Sequence, residues 1–213
     1  MILIKFATRS RPLKAIECLS NIREKTRTPY HVLFTLDFDD DSMTRVIPQL
    51  TGEDTTVVIG KSKNKIHAIN RDIHLINDWD VLVNTSDDMY FIKDGWDEVV
   101  LRDIETSRKH VFLYPDGNRA DLVTMAIFTR GWFESNGKVI YHPEYHSVYC
   151  DNDMTDKAAF MGQLFISEEQ LFEHRHPAYG KAEMDAQYAQ TESRWVYEHD
   201  RNIYEKRKAN NFA

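Results

Sequence analysis

Residues 78–91 read DWDVLVNTSDDMYF, and the order of residue types within them decides the fold. Val81, Leu82 and Val83 are a β-branched and aliphatic run, too short for a helix and typical of a strand buried on both faces. Polar Asn84, Thr85 and Ser86 follow, so the strand ends where two adjacent carboxylates, Asp87 and Asp88, begin. In an open α/β sheet, ligands sit beyond the carboxyl ends of the strands. Neighbouring carboxylates there are hard oxygen donors suited to Mg²⁺ or Mn²⁺. An Asp-Asp pair after a strand also serves as a turn or helix cap, so the flanking sequence has to choose between the two.

Upstream, ILIKFA at 2–7 predicts a first buried strand that stops at Thr8-Arg9-Ser10-Arg11-Pro12. Pro12 suits the first turn of a helix bearing Ile16, Leu19 and Ile22 at helical spacing. HVLFTL at 31–36 predicts the second strand, and Asp37 at its end can accept hydrogen bonds from a nucleotide base or ribose. Asp39, Asp40 and Asp41 read as a solvated acidic loop. The third strand, TTVVIG, ends at Gly60. KSKNKIHAINRDIHLI then reads as a basic loop entering a helix whose buried stripe is Ile66, Ile69, Ile73 and Ile76. Lys65, Asn70 and Arg71 are left over to hold a diphosphate, because helix N-termini and basic side chains favour phosphate.

Downstream, GWDEVVLRDIETS predicts a helix and HVFLYP a further strand. LVTMAIFTRGWFESNGKV predicts a strand, a turn at Gly131 and an aromatic pair, Trp132 and Phe133, that suits either a sugar platform or core packing. YCDNDMTDKAAF puts Asp151 and Asp153 at a helix start, as N-caps or as a base for an attacking hydroxyl. In GQLFISEEQLFEHRHP, His174 and His176 lie on one side of an extended segment and offer imidazole to a metal. The charged tail from Lys181 to Ala213 spaces Tyr188, Trp195, Tyr197, Ile203 and Tyr204 as on long helices. It reads as a strap over the core with no chemistry of its own.

The chain has 213 residues, enough for one sizeable core, and shows no linker, repeat or low-complexity tract. The expectation is therefore one α/β domain over 1–213: a Rossmann-like mixed, mostly parallel sheet flanked by helices, with a C-terminal helical tail. Residues 1–90 would form a nucleotide-binding half, 91–177 an acceptor-side half and 178–213 the tail. A formal net charge of −7 and a pI near 5.7 argue against a nucleic-acid binder. Arg9, Arg11, Lys61, Lys63, Lys65 and Arg71 nonetheless form a local basic patch that suits a phosphorylated small molecule. Two cysteines, Cys18 and Cys150, make no disulfide framework. No signal pattern and no run approaching the ~20 apolar residues of a membrane span is present, so a soluble cytoplasmic protein is expected.

This order resembles that of the GT-A glycosyltransferases, especially the family 2-like group, over about residues 2–177. FATRSRP resembles the family's first-strand nucleotide loop, which implies nucleotide contacts from Thr8, Arg9 and Arg11, and Asp37 falls where its base-binding acid follows the second strand. KNKIHAINRDI is similar to its helix bearing Ala-x-x-Asn, with Ala68 one residue from the usual place and Asn70 beside Arg71. SDDM resembles the metal-binding D-x-D with Ser86 in the first acidic position. That implies Asp88 as the direct metal ligand, with Asp87 behind it or as an alternate ligand and both Ser86 and Asp87 beside the donor. The literal Asp78-Trp79-Asp80 precedes the strand and belongs at the wrong end of the sheet. CDNDMTDKA is similar to the family's D-x-D-L-x-x-R-A, which implies Asp151 as catalytic base and Asp153 as runner-up. HRHP resembles a late metal-binding histidine, either His174 or His176. The short form and the FATRSRP start also resemble the glycosyltransferase domains encoded by large algal viruses.

The resemblance implies Mn²⁺ or Mg²⁺ as cofactor and a UDP-sugar, UDP-glucose-like, as donor. The partner would be a glycan or glycoprotein acceptor, with no nucleic acid involved. The expected reaction is transfer of a hexose or deoxyhexose, inverting if Asp151 is the base. Three alternatives stay open: a retaining enzyme of the same fold, a nucleotidyltransferase and a non-catalytic nucleotide-sugar-binding module. The nucleotidyltransferase calls for a Gly-rich first loop, whereas this chain has no glycine before Gly52.

Overall fold

Hydrophobic runs of five to eight residues, punctuated by polar loops, build the first half as alternating strands and helices. The computed structural model describes residues 1–212; Ala213, the last residue of the expected tail, lies outside the described residues. β1 (Ile2–Ala7) leads to α1 (Pro12–Lys25), with Pro12 in its first turn and Ala15, Cys18, Leu19 and Ile22 on its buried face. β2 (Tyr30–Asp37) is followed by two single-turn helices, α2 (Asp41–Thr44) and α3 (Ile47–Leu50), and then by β3 (Thr55–Gly60). α4 (Lys65–Asn70) precedes β4 (Val81–Thr85), all five of whose residues are buried.

The expected long helix after Gly60 is therefore interrupted. Asp72 adopts a left-handed conformation at φ 73°, which a right-handed helix cannot pass through, and the stripe continues as a 3₁₀ turn over Ile73–Leu75.

The second half runs through β5 (Met89–Phe91), α5 (Trp96–Ser107), β6 (Val111–Leu113) and β7 (Ala126–Thr129). α6 (Arg130–Ser135), α7 (Cys150–Phe160), β8 (Leu164–Ile166) and β9 (Phe172–His174) follow. The tail forms α8 (Ala186–Thr191) and α9 (Arg194–Ala209). Gly131 lies inside α6, not in a turn, because the chain leaves β7 straight into that helix. Trp132 and Phe133 on α6 are buried, and Phe133 meets Trp79 edge-on with ring centroids 5.3 Å apart. They are core residues, not a sugar platform.

Seven strands make one sheet in the order β3-β2-β1-β4-β7-β6-β8, with β7 antiparallel to both neighbours and all other pairings parallel. Phe6 pairs with Thr85 and Asp37 with Gly60, so β1, β2, β3 and β4 finish along a common edge. Asp80 lies at the opposite edge, where its carboxylate meets the N-terminal amine at 2.5 Å.

Side chains alternate across β1. Ile2, Ile4 and Phe6 join a core with Phe34 and Trp96, while Leu3 joins one with Leu33, Ile66 and Trp132. β5 and β9 form a separate antiparallel pair with Met89 opposite His174. This small ribbon is what carries a late histidine to the end of the central strand.

Candidate active site

The common edge opens into a cleft of about 1030 Å³ lined by Thr8, Asp37, Lys65, Asp88, Asp151 and His174 among others. That is the upper end of the range for small-molecule sites, large enough for a nucleotide with a sugar attached. Among the described residues no helix is long and apolar enough to cross a membrane.

Asp88 lines the cleft three residues beyond the end of β4. Its Oδ2 accepts the Tyr188 hydroxyl at 2.8 Å and faces His174 Nε2 at 3.4 Å, while Oδ1 accepts the Ser86 hydroxyl. The Arg175 amide donates to the Asp88 carbonyl at 2.8 Å, locking β9 to the loop. Burial alone would raise the Asp88 carboxyl, but His174, Ser86 and Tyr188 together hold it well below the usual carboxylate range. Burial opposes charge on His174 too. Asp116 and Asp88 on either side outweigh it, so its imidazole is pushed up to about 9.

Behind His174, Asp116 Oδ2 stands 3.5 Å from Nδ1. Asp116 is itself fixed by the amides of Asn118 and Arg119 at 2.8 and 2.7 Å. Neither His174 Nδ1 nor Asp116 Oδ2 has a short hydrogen bond, although both are buried. A carboxylate behind an imidazole whose other nitrogen faces a second carboxylate is the support arrangement of metal-binding histidines. One carboxylate oxygen and one imidazole also suit Mg²⁺ or Mn²⁺, which take their remaining ligands from phosphate and water. The residues therefore fit a divalent cation between Asp88 and His174.

Asp87 points elsewhere. Its carboxylate accepts from Arg11 Nη1 at 2.7 Å and from the Thr8 hydroxyl at 2.5 Å. Arg11 continues into a two-pronged pair with Asp185, both contacts 2.8 Å, and lies 3.8 Å over the Tyr188 ring. The tail, expected as a strap over the core, thus reaches the site itself through Asp185 and Tyr188. Arg11 acts as a strut between the loop bearing Asp87 and the tail, neutralised by two carboxylates.

At the end of β2, Asp37 is held by Arg9 at 2.9 Å and by the Ser62 amide at 3.0 Å, and Arg9 also reaches Asp39 at 2.6 Å. Asp40 is not solvated, as the acidic-loop reading expected. It is buried, caps α2 through the Met43 amide and accepts the Ser10 amide at 2.6 Å. Lys65 lines the cleft. Asn70 is instead tied to the Ile140 and Tyr141 backbone. Arg71 is tied to Ser62, the Leu36 carbonyl and Asp72. Both are braces of the cleft walls, turned away from its lumen.

On the opposite wall, Asp151 lines the cleft with only the Asn152 amide, at 2.9 Å, on its carboxylate. Burial raises its pKa, and Lys65 and Arg119 offset this only in part. Asp153 is turned into the core, where Tyr145 and Arg207 bond it at 2.9 and 2.6 Å. His176 Nε2 is engaged by Glu192 at 2.7 Å, so of the two histidines it is His174 that meets Asp88. Sequence reasoning missed Asp116, Asp185 and Tyr188. Asp116 stands in Pro115-Asp116-Gly117, which spells only a turn, and the other two belong to a tail with no motif.

A scan against protein-family models gives no match, and neither does a search of curated protein sequences. Solved structures do match. The mannosyltransferase PcManGT from Pyrobaculum calidifontis, in complex with GDP-Man and Mn²⁺, aligns over 98% of this chain and 75% of its own, at TM-score 0.65 and 13% identity. S. aureus TarS aligns over 81% of this chain at TM-score 0.64 and 11% identity, this chain spanning 36% of it. TarS 1-349 in complex with UDP gives TM-score 0.61 and 12% identity, with 59% of its length covered. At such identities the likeness is one of fold. The fold is GT-A: a mixed, mostly parallel seven-stranded sheet with flanking helices.

Proposed function

We propose that this chain is a metal-dependent glycosyltransferase that moves a hexose or deoxyhexose from a UDP-sugar, UDP-glucose-like, to a hydroxyl of a glycan or glycoprotein. The observation that carries the reading is the facing pair Asp88 and His174 at the end of the central strand, with Asp151 lining the same cleft and, among the described residues, bonded by no other side chain. The neighbours' printed ligands, GDP-Man with Mn²⁺ and UDP, support a nucleotide-sugar donor and a divalent cation. FATRSRP supports the family 2-like group in the form encoded by large algal viruses.

Residues 1–90 bind the nucleotide. Asp37 accepts from the base or ribose, Arg9 and Thr8 border that subsite, and Lys65 adds positive charge towards the phosphates. Asp88 and His174 would hold Mn²⁺ or Mg²⁺, which would supply positive charge to stabilise the departing diphosphate. Asp151 takes the proton from the acceptor hydroxyl as its oxygen bonds to the anomeric carbon and the bond to the diphosphate breaks, which inverts the centre. Burial suits Asp151 to this role, since a raised carboxyl pKa makes a stronger base.

The test is UDP release from UDP-hexoses in Mn²⁺ by wild type and Asp151→Asn. The reading expects turnover to fall roughly 10²- to 10⁴-fold while UDP affinity stays within a factor of two or so of wild type. Full turnover in Asp151→Asn, or retained configuration at the product's anomeric carbon, removes Asp151 from the base role.

A further inference from the structure

At the acceptor end of the cleft, three side chains outside the machinery just described converge on one point. His146 Nδ1 and His199 Nδ1 are 3.0 Å apart, and His199 Nδ1 is 2.8 Å from Asp200 Oδ1. His146 Nδ1 closes the triangle at 3.6 Å from the same oxygen. Among the described residues these are the three His, Cys, Asp or Glu side chains whose donor atoms all lie within 4.8 Å of one another. Asp200 is fully buried and fixed by the amides of His146, Ser147 and Val148. The imidazoles are each about one-third exposed, at 31% and 32%.

Hydrogen bonding serves this triangle with too few protons for three separate bonds. The 3.0 Å gap between two ring nitrogens holds one proton, not two. A proton on His199 Nδ1 is shared between Asp200 and His146 as a three-centre bond, weaker than two separate ones. A cation bonded to all three atoms resolves this. Donors at about 2.0–2.1 Å in tetrahedral array stand about 3.3 Å apart, and edges of 2.8, 3.0 and 3.6 Å surround that value.

We propose that His146, His199 and Asp200 form a second metal site, of the zinc class, separate from Asp88 and His174. Two imidazoles and one carboxylate are a ligand set for Zn²⁺. The exposed side of the triangle leaves its fourth position to water. Its role is to clasp α9 to residues 146–148, immediately before the helix that carries Asp151. The site thereby ties the tail to the acceptor wall. Trp195 stacks on His199 at 5.2 Å between ring centroids and 27° between planes, and meets His146 at 5.0 Å. It is therefore a reporter at the site.

The test loads chelator-stripped full-length chain with Zn²⁺ and counts bound metal by mass spectrometry. Co²⁺ then replaces Zn²⁺ to read the visible bands of a tetrahedral ion and the quenching of Trp195. We expect Asp88→Ala, where the first site is broken, to retain one equivalent of zinc, together with Co²⁺ quenching that disappears in Trp195→Phe. His199→Ala should weaken zinc by more than the roughly 10- to 100-fold typical of losing a ligand's supporting partner. Wild-type zinc stoichiometry in His199→Ala overturns the proposal. Should that variant not fold, two others decide: octahedral-type Co²⁺ absorption in Asp88→Ala, where the first site is broken, or no loss of quenching in Trp195→Phe, overturns it equally. The readouts are independent of sugar transfer, so failure here leaves the proposed function standing, and the reverse.

Discussion

Tyr188→Phe separates two accounts of the tail. The hydroxyl donates to Asp88 Oδ2 at 2.8 Å inside the protein, and hydrogen bonds to charged groups contribute about 1.5–3 kcal/mol. The same oxygen faces His174, so a divalent cation entering between them competes with the hydroxyl. If binding requires that bond to be surrendered, its removal in advance raises Mn²⁺ affinity by the same free energy, roughly 10- to 150-fold. Ser86 and His174 remain on Asp88 in the variant and take up part of the released charge. The low end, about 10-fold, is therefore the expectation. The phenyl ring still lies under the Arg11 guanidinium, so the clasp between Arg11 and Asp185 persists and the change stays local. Calorimetric titration of Mn²⁺ at fixed UDP reads the affinity, and urea melts of the apoprotein read the matching loss of stability. Equal or weaker Mn²⁺ binding in Tyr188→Phe refutes the reasoning, because it means that the hydroxyl and the cation share the oxygen.

Two further outcomes follow from other contacts. Asp116→Asn removes the carboxylate behind His174, and Mn²⁺ affinity by the same titration should fall about 10- to 100-fold with the fold intact by circular dichroism. Lys5 is buried in β1, where its ammonium donates to Thr35 and, at 2.8 Å, to the Arg71 carbonyl. Burial lowers its pKa from 10.5 to about 7, with Asp72 partly opposing the shift. The unfolded chain then binds more protons than the folded one between those values. The Lys5 contribution to stability therefore rises with pH from about 7 to about 10.5. Urea midpoints at pH 7 and 9.5 should show a larger gain in wild type than in Lys5→Met; parallel changes rule this out.

Much of the fold was legible because short β-branched and aliphatic runs announce strands. ILIKFA and TTVVIG became β1 and β3 without a residue's difference, and the apolar run 81–83 became a strand extended by two residues to Thr85. Asp37, Asp88 and Asp151 were readable as cleft residues, since each follows a strand or opens a helix at the edge where ligands gather. What escaped depended on distance along the chain. Only the register of β5 against β9 brings His174, and not His176, to Asp88. Arg11 looked free for phosphate until the tail supplied Asp185. Asn70 and Arg71 looked the same until their backbone partners were in view. Polar side chains at a site are ambiguous in sequence because bracing a wall and binding a ligand require the same donors.

The central claim is that Asp88 and His174 hold the cation through which the donor diphosphate binds. The most direct measurement is the calorimetric affinity of UDP with and without Mn²⁺ in wild type, Asp88→Ala and His174→Ala. The account predicts that Mn²⁺ strengthens UDP binding in wild type and that either substitution abolishes this gain. Undiminished Mn²⁺-dependent UDP affinity in Asp88→Ala contradicts it.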